Sequence, residues 1–526
     1  MDAPIGIVDI FSGPGGLGEG FSQVRTATGD RAFEIDLSIE KDPVAHSTLR
    51  LRAFLRKFDG GHPREYVDFL NGDIAEEPNW ASLYPEEWSA ADRETLNLTL
   101  GDDTSRPILS RRLSEIRRAR GDRVVLIGGP PCQAYSLAGR GRKPGHRGYV
   151  PHPEDRHLLY REYISILREL RPCAFVMENV KGMLSSKIEG QSVFDLVVED
   201  LQAGGGAADY EIFPLDEGSA PKRKHASAGF LVRSERHGVP QARHRVIIVG
   251  IRRDLSRGLE AHLVPRLRGQ TTPATVRDVL SGMPALRSKL SPRQRDRDSS
   301  EEWARVVRNH AARLRTIWSG LDAEARDRLT DILKTVLPGD RMLHSGSFGG
   351  TALPASCPAR LREWLHDRSL RRLTLHETRA HMRDDLERYM FASSWAAATG
   401  RFPKAQDFPE QLAPQHANWK SGQYKDRFRV QVWDAPSSTV TCHVSKDGHS
   451  TIHPDPQQCR SLTVREAARL QTFPDNYFFK GNRTQQYVQV GNAVPPFLAL
   501  QIGEALLPAL EAVFAIGEDV LAERVA

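Results

Sequence analysis

Residues Val124-Val125-Leu126-Ile127 run straight into Gly128-Gly129-Pro130-Pro131-Cys132-Gln133, and that junction restricts the fold more than any other stretch of the chain. Four apolar, mostly β-branched residues read as a buried strand of a parallel sheet. Gly-Gly-Pro-Pro then ends it, because proline has no amide hydrogen for a ladder and its ring does not fit a helix interior. The chain must turn sharply out of the sheet. In an open α/β sheet, ligands bind outside the carboxyl ends of the strands. A thiol just past a proline-stiffened turn, with the polar Gln133 beside it, is placed like a nucleophile. The competing reading is a buried structural cysteine.

The rest of the composition fits a large globular protein. A chain of 526 residues with 39% hydrophobic and 27% charged residues buries a sizeable core and holds two or three domains. Cys132, Cys173, Cys357, Cys442 and Cys459 include no C-x-x-C pair and do not form a disulfide scaffold. No apolar run reads as long enough to span a bilayer, and Met-Asp-Ala-Pro is unlike a secretory leader, so the expectation is a cytoplasmic protein with no membrane partner. A net charge of +6 suits a polyanion partner without demanding one.

Taken in order, Gly6–Phe11 reads as a first strand, followed by Ser12-Gly13-Pro14-Gly15-Gly16-Leu17-Gly18. Gly13, Gly15 and Gly18 match G-x-G-x-x-G between strand and helix, a turn that lets a nucleotide-type cofactor approach a helix N-terminus. A second strand ends at Ile39-Glu40, where a carboxylate can grip ribose hydroxyls. Asn71-Gly72-Asp73-Ile74 reads as the end of a third strand, with Asp73 facing the same crevice and able to accept from an adenine amino group. Residues 76–122 read as a surface insertion. Ala138–Gly148 alternates glycine with cations and reads as a mobile basic lid directly after Cys132. His157–Leu170 reads as an amphipathic helix. The strand Ala174–Met177 ends in Glu178-Asn179-Val180, which sets a half-buried acid on the strand next to the one that carries Cys132. Two further strands flank Gln241-Ala242-Arg243-His244-Arg245. Arg243 and Arg245 alternate there in an extended segment and face one way.

From about Arg252 to Ala435 the α/β alternation stops and Arg, His and Pro become frequent, which reads as a separate, mostly irregular domain able to touch DNA. No metal is expected. His376-Glu377…His381 is one residue too long for two ligands on one helical face, and Cys442, His443, His449, His453 and Cys459 fit no standard finger spacing. Thr463-Val464-Arg465-Glu466 is a capping box that opens a helix. Val490–Pro496 precedes a last apolar helix, Phe497–Phe514, whose face needs the first sheet as its core.

In this order the segments resemble the 5-methylcytosine DNA methyltransferases. The resemblance rests on the Phe11–Gly16 turn, Pro130-Pro131-Cys132-Gln133, Glu178-Asn179-Val180, Gln241-x-Arg243-x-Arg245, Arg465-Glu466-x-x-Arg469-Leu470-Gln471 and Gly491-Asn492-x-Val494. It covers about residues 5–250 and 430–510. It implies an α/β, Rossmann-like S-adenosylmethionine-dependent sheet with helices on both faces, plus a smaller irregular target-recognition domain. The implied boundaries are 1–250 for the catalytic and cofactor-binding domain, 251–459 for target recognition and its connections, and 460–526 for a C-terminal segment that returns to the catalytic domain. Phe11, Gly13, Pro14, Gly16 and Asn492 would line S-adenosylmethionine, Glu40 would hold its ribose, and Asp73, Ile74 and Leu159 would surround its adenine. Where the family often has an aromatic after the ribose-binding acid, this chain has Lys41.

The resemblance makes Cys132 the nucleophile and Glu178 the acid, with Arg243 and Arg245 as their supports. The chemistry is consistent with those residue types. Carbon 5 of cytosine is too weak a nucleophile until a thiolate adds to carbon 6 and turns the ring into an enamine. That addition needs a proton at ring nitrogen 3 and a cation for charge on the ring oxygen. None of these atoms is reachable inside a duplex, so the base must be flipped out. The expected partner is double-stranded DNA, with a cognate restriction or defence nuclease. Two other readings remain open at this stage: methylation of tRNA cytosine, and an NAD-dependent oxidoreductase built on the same nucleotide-binding half.

Overall fold

The computed structural model describes residues 3–131 and 158–525, apart from 189, 205–208, 217–226, 293–297, 318–322, 337–338, 340, 347–348, 350, 415–418 and 420–426. Its centre is an eight-stranded sheet of β1 (Ile5–Ile10), β2 (Phe33–Ile39), β3 (Thr95–Leu96), β4 (Val124–Gly128), β5 (Ala174–Val180), β6 (Tyr210–Phe213), β7 (Leu231–Arg233) and β8 (His244–Arg252). The spatial order is β3-β2-β1-β4-β5-β8-β6, with β7 also paired to β8. Strands β1 to β5 are parallel, and β8 runs antiparallel to β5, β6 and β7. Every residue of β1 and β4 is buried, as expected for strands covered on both faces. The chain builds outward from β1 to β3 and then returns to place β4 on the other side of β1. That reversal opens a crevice at the carboxyl ends of β1 and β4.

The principal helices are α1 (Gly16–Ser22), α2 (Pro43–Leu55), α3 (Arg64–Asn71), α4 (Arg106–Arg120), α5 (Leu158–Leu170), α6 (Val193–Gln202), α7 (Ser300–Leu314), α8 (Ala323–Thr335), α9 (Arg383–Thr399), α10 (Val464–Leu470), α11 (Arg483–Asn492) and α12 (Pro496–Val525). One face of the sheet packs against α1, α10 and α12 through Ile5, Ile7, Phe21, Leu470 and Phe497. The other packs against α4, α5 and α6 through Val8, Ile10, Leu113, Leu167 and Val197. The alternation of β1 residues between the two cores is the period-2 pleat of a strand. The capping box at Thr463 and Glu466 is formed.

Three differences from the sequence reading have physical causes. First, Asn71-Gly72 does not end a strand. It ends α3, with Gly72 in the left-handed conformation at φ 78°, the usual glycine stop of a helix. The third strand is Thr95–Leu96, in register with Ser38 and Ile39, so the stretch read as an insertion supplies the sheet's edge. Second, the middle region has a regular helical core: Trp303 and Leu314 of α7, Leu329 of α8 and Tyr389, Phe391 and Trp395 of α9 form one buried cluster. Third, residues 483–515 contain an apolar window long enough to cross a membrane, but 67% of that window is buried inside the protein. Backbone approach explains the burial. A Cβ on Gly20 of α1 would lie 2.4 Å from both Leu500 N and Pro496 O of α12.

Candidate active site

The crevice is built from the glycine turn upward. β1 ends at Ile10, and the next residue, Phe11, has a left-handed φ of 56° although it is not glycine. Such conformations cost energy and persist where the surroundings hold them. Here the Ser12 hydroxyl donates to the Asp9 carbonyl at 2.9 Å and accepts from Ile39 N at 3.2 Å, which ties the turn to the end of β2. The Gly13 amide donates to Glu40 Oε2 at 2.9 Å. Gly13 has φ 58° and no atom within 4 Å of where a Cβ would stand, so its missing side chain leaves open space beside a fixed carboxylate. The turn is anchored from below, where Tyr477 Oη donates to the Pro14 carbonyl. Its far wall is the segment after α11: a Cβ on Gly16 would lie 2.3 Å from Val494 O. Asn492, the last residue of α11, is exposed between buried Gly491 and Ala493. The turn over Gly13 is thus tied to Glu40 at the end of β2, and over Gly16 it packs against Ala493 and Val494, next to Asn492.

The second half of the site lies at the ends of β4, β5 and β8. Arg245 Nε forms an ion pair with Glu178 Oε1 at 2.9 Å, and both side chains are mostly buried. A Cβ on Gly129 would stand 2.9 Å from Glu178 Oε2, and Asn179 Nδ2 donates to the Pro130 carbonyl at 3.4 Å. The turn leading to Cys132 thus lies directly against the acid. Cys132 itself and the basic stretch Ala138–Gly148 lie outside the described residues. Arg243 is buried and faces a different partner from Arg245: its Nη1 donates to the carbonyls of Val440 at 3.1 Å and Gly491 at 3.2 Å. Burial and the neighbouring Arg245 charge push its guanidinium down to about 9. Of the described cysteines, Cys173, Cys357 and Cys459 are buried, and burial pushes the thiols of Cys173 and Cys357 up to about 12, away from the reactive thiolate.

A strand-end acid paired with an arginine thus lies against the turn that leads to Cys132. A family model described as C-5 cytosine-specific DNA methylase matches residues 105–507. The chain belongs to the C-5 cytosine-specific DNA methylase family. It is 32% identical over 522 residues to the type II methyltransferase M.Bpa9945I of Bacillus paralicheniformis, covering 95% of this chain and 98% of that protein. It is 29% identical to the DNA (cytosine-5-)-methyltransferase M.ApeKI of Aeropyrum pernix, over 74% of this chain and 82% of that one. The fold is shared with a crystal structure described as a DNA modification methyltransferase encoded within a prophage (E. coli), at a TM-score of 0.50, 18% identity and coverage of 97% and 99%. This methylase is a DNA (cytosine-5-)-methyltransferase, and membership of that family implies the use of S-adenosylmethionine. Membership leaves the nicotinamide reading without support.

Two of the three expected adenine neighbours, Asp73 and Ile74, follow a helix rather than a strand in the methylase. Asp73 follows α3 on the surface and is ion-paired with Arg371. Ile74 is next to it, its amide bonded to Asp68 O at 3.3 Å. Leu159 is half-buried in the first turn of α5. The residue at the true end of the third strand is Asn97, which the sequence reading missed. Its Nδ2 donates to the Glu40 carbonyl at 2.7 Å, and the Glu40 amide donates to Leu96 O at 3.2 Å. A two-residue strand carries no alternation to reveal it, and Asn71-Gly72-Asp73-Ile74 imitated one. The histidines of the middle region have structural partners: His376 sits between Thr463 Oγ1 and Pro284 O, both at 3.0 Å, and His449 Nδ1 lies 2.7 Å from Tyr389 Oη. Among the described residues no three His, Cys, Asp or Glu side chains converge on a metal position.

Proposed function

We propose that this methylase modifies carbon 5 of a cytosine flipped out of double-stranded DNA, through a transient bond between Cys132 and carbon 6. The observation that carries the reading is the Glu178–Arg245 pair at 2.9 Å, packed against Gly129 on the turn that leads to Cys132. Glu178 donates a proton to ring nitrogen 3 as the thiolate adds. Arg245 holds the acid in position and offers a cation to the ring oxygen. Arg243 acts from behind, fixing the segments at Val440 and Gly491. The flipped base is enclosed by these groups in a site that water does not share.

The crevice fits S-adenosylmethionine, because the open space over Gly13 and the carboxylate of Glu40 together form a cradle that a side chain would fill. When bound, that cofactor supplies an electrophilic methyl group. Phe11, Gly13, Pro14, Gly16 and Asn492 would line it, and Glu40 would hold its ribose hydroxyls. We assign the adenine edge to Asn97 rather than Asp73, with its amide oxygen as acceptor, and Leu98 and Leu159 as apolar neighbours. The type II names of the relatives support a modification role beside a cognate nuclease, in the cytoplasm where the DNA is.

The test is direct. The purified chain is incubated with unmethylated duplex DNA and S-adenosylmethionine, and the product is mapped for 5-methylcytosine. Methylation confined to one short sequence is the expected result. Transfer to tRNA but not to duplex DNA, or saturable NAD binding with none of S-adenosylmethionine, would overturn the reading.

A further inference from the structure

Two buried glutamines connect the two halves of the site. Gln241 and Gln471 are both fully buried. The Val440 amide donates to Gln241 Oε1 at 2.9 Å, Gln241 Nε2 donates to Gln471 Oε1 at 2.6 Å, and Gln471 Nε2 donates to the Ala493 carbonyl. Gln241 Nε2 also donates to Leu470 O at 3.2 Å. The direction of this chain is forced. A backbone amide can only donate at one end and a carbonyl can only accept at the other, so each side-chain amide has a single allowed orientation. Buried amides that lost a partner would carry the full cost of their desolvation.

The ends of the chain matter more than its middle. Val440 belongs to the segment 437–440, which is joined to 240–243 by Ser437 N to Pro240 O at 2.9 Å and Thr439 Oγ1 to Ala242 O at 2.7 Å. Ala493 lies next to Asn492, on the segment whose Val494 carbonyl rests on Gly16. On the other side of Asn492, the Gly491 carbonyl accepts from Arg243, which also holds the Val440 carbonyl. Asn492 is therefore an exposed side chain between two carbonyls, each pinned by a side chain that leads back to Val440.

We propose that Gln471, acting through Gln241, is a positioning residue for methyl transfer: it sets the distance between the cofactor-facing segment at Asn492 and the base-facing side of the site at Arg243 and Glu178. This rests on the functional reading given above. It contacts neither reactant, so its contribution is to alignment, where a displacement of about 1 Å costs on the order of 10²-fold in rate.

The test uses the full chain with duplex DNA and S-adenosylmethionine. Gln471→Leu removes the relay at nearly constant volume. The expected result is a kcat about 10²-fold lower at saturating substrates, with the dissociation constants for DNA and S-adenosylmethionine within about threefold of wild type. Gln471→Glu supplies a second readout even if the leucine variant does not fold. A protonated carboxyl both donates to Ala493 O and accepts from Gln241, and an ionised one cannot donate. The ratio of variant to wild-type kcat should rise as pH falls from 8.5 to 6. A leucine variant with wild-type kcat, a loss confined to binding, or a pH-independent glutamate-to-wild-type ratio would each overturn the proposal. If the wild-type chain itself transfers no methyl group to DNA, the functional reading fails instead, and the two failures are distinguishable.

Discussion

Gly16→Ala perturbs the contact between the cofactor turn and the segment that carries Asn492. The added Cβ would stand 2.3 Å from Val494 O, with Ala493 Cβ and Val494 N each 3.3 Å away. An ordinary carbon-to-oxygen contact is about 3.3 Å or more, so one backbone must give way by about 1 Å. The obstructing atom is a main-chain carbonyl, not the end of a flexible side chain, and its segment is held by Gln471 and Arg243. Overpacking of this kind costs about 1–3 kcal/mol. The same displacement carries Asn492 away from the turn and slows transfer by on the order of 10²-fold. Gly13→Ala is the comparison. No atom lies within 4 Å of its Cβ position, but φ is 58°, so the strain is about 1–2 kcal/mol and the new methyl group intrudes on the cofactor. Urea unfolding and steady-state kinetics separate the two: Gly16→Ala should lose stability and kcat, Gly13→Ala mainly affinity for S-adenosylmethionine. A Gly16→Ala protein with the wild-type unfolding midpoint and kcat would refute the reasoning.

Glu178→Gln keeps the shape of the acid and removes its proton, so kcat should fall by about 10²–10⁴-fold while DNA affinity changes little, as measured by single-turnover transfer and fluorescence anisotropy. Asp9, beneath Gly18, is pushed up to about 8 by burial, against the help of Ser12 and Arg56, from an ordinary 3.8. The folded state holds that proton more tightly than the unfolded one, so the group's contribution to stability is full below pH 4 and is lost as pH rises through 8. Asp9→Asn should therefore unfold like wild type at pH 4 and gain up to about 1.4 kcal/mol for each pH unit towards 8, read by urea titrations at three pH values. Arg460 and Glu466 form two contacts of 2.6 and 2.7 Å with both side chains almost fully buried. Arg460→Met should destabilise by about 3–5 kcal/mol, and the double variant with Glu466→Met should recover much of that loss.

The parts of this molecule most legible in the sequence are those where one local pattern had one physical meaning. Val124–Ile127 had to be a buried strand, Gly-Gly-Pro-Pro had to leave it, and Thr463–Glu466 had to start a helix. Glu178 was legible because a carboxylate directly after four apolar residues has few places to go except a strand end. Asp73 was misread because Asn-Gly stops a helix as readily as it ends a strand, and the decision lay in the φ of Gly72. The edge strand at Thr95 was hidden because two residues show no periodicity. Helix α9 was hidden for the opposite reason: it is buried on most sides, with Asp385, Glu387, Ser393 and Ser394 among its buried residues, so no clean apolar stripe remained to read. The difference between Arg243 and Arg245 needed the fold, since their partners at Val440, Gly491 and Glu178 are distant in sequence.

The central claim is the bond from Cys132 to carbon 6. A duplex carrying the recognised sequence with 5-fluorocytosine at the target position tests it most directly, because fluorine cannot leave as the proton does and the adduct should persist after the methyl group has moved. Intact mass measurement should show one oligonucleotide plus one methyl group bound per chain. Peptide mapping should place the link on Cys132, and Cys132→Ala should give none while still binding S-adenosylmethionine. Full methylation without any covalent species, or a link at another residue, would contradict the account.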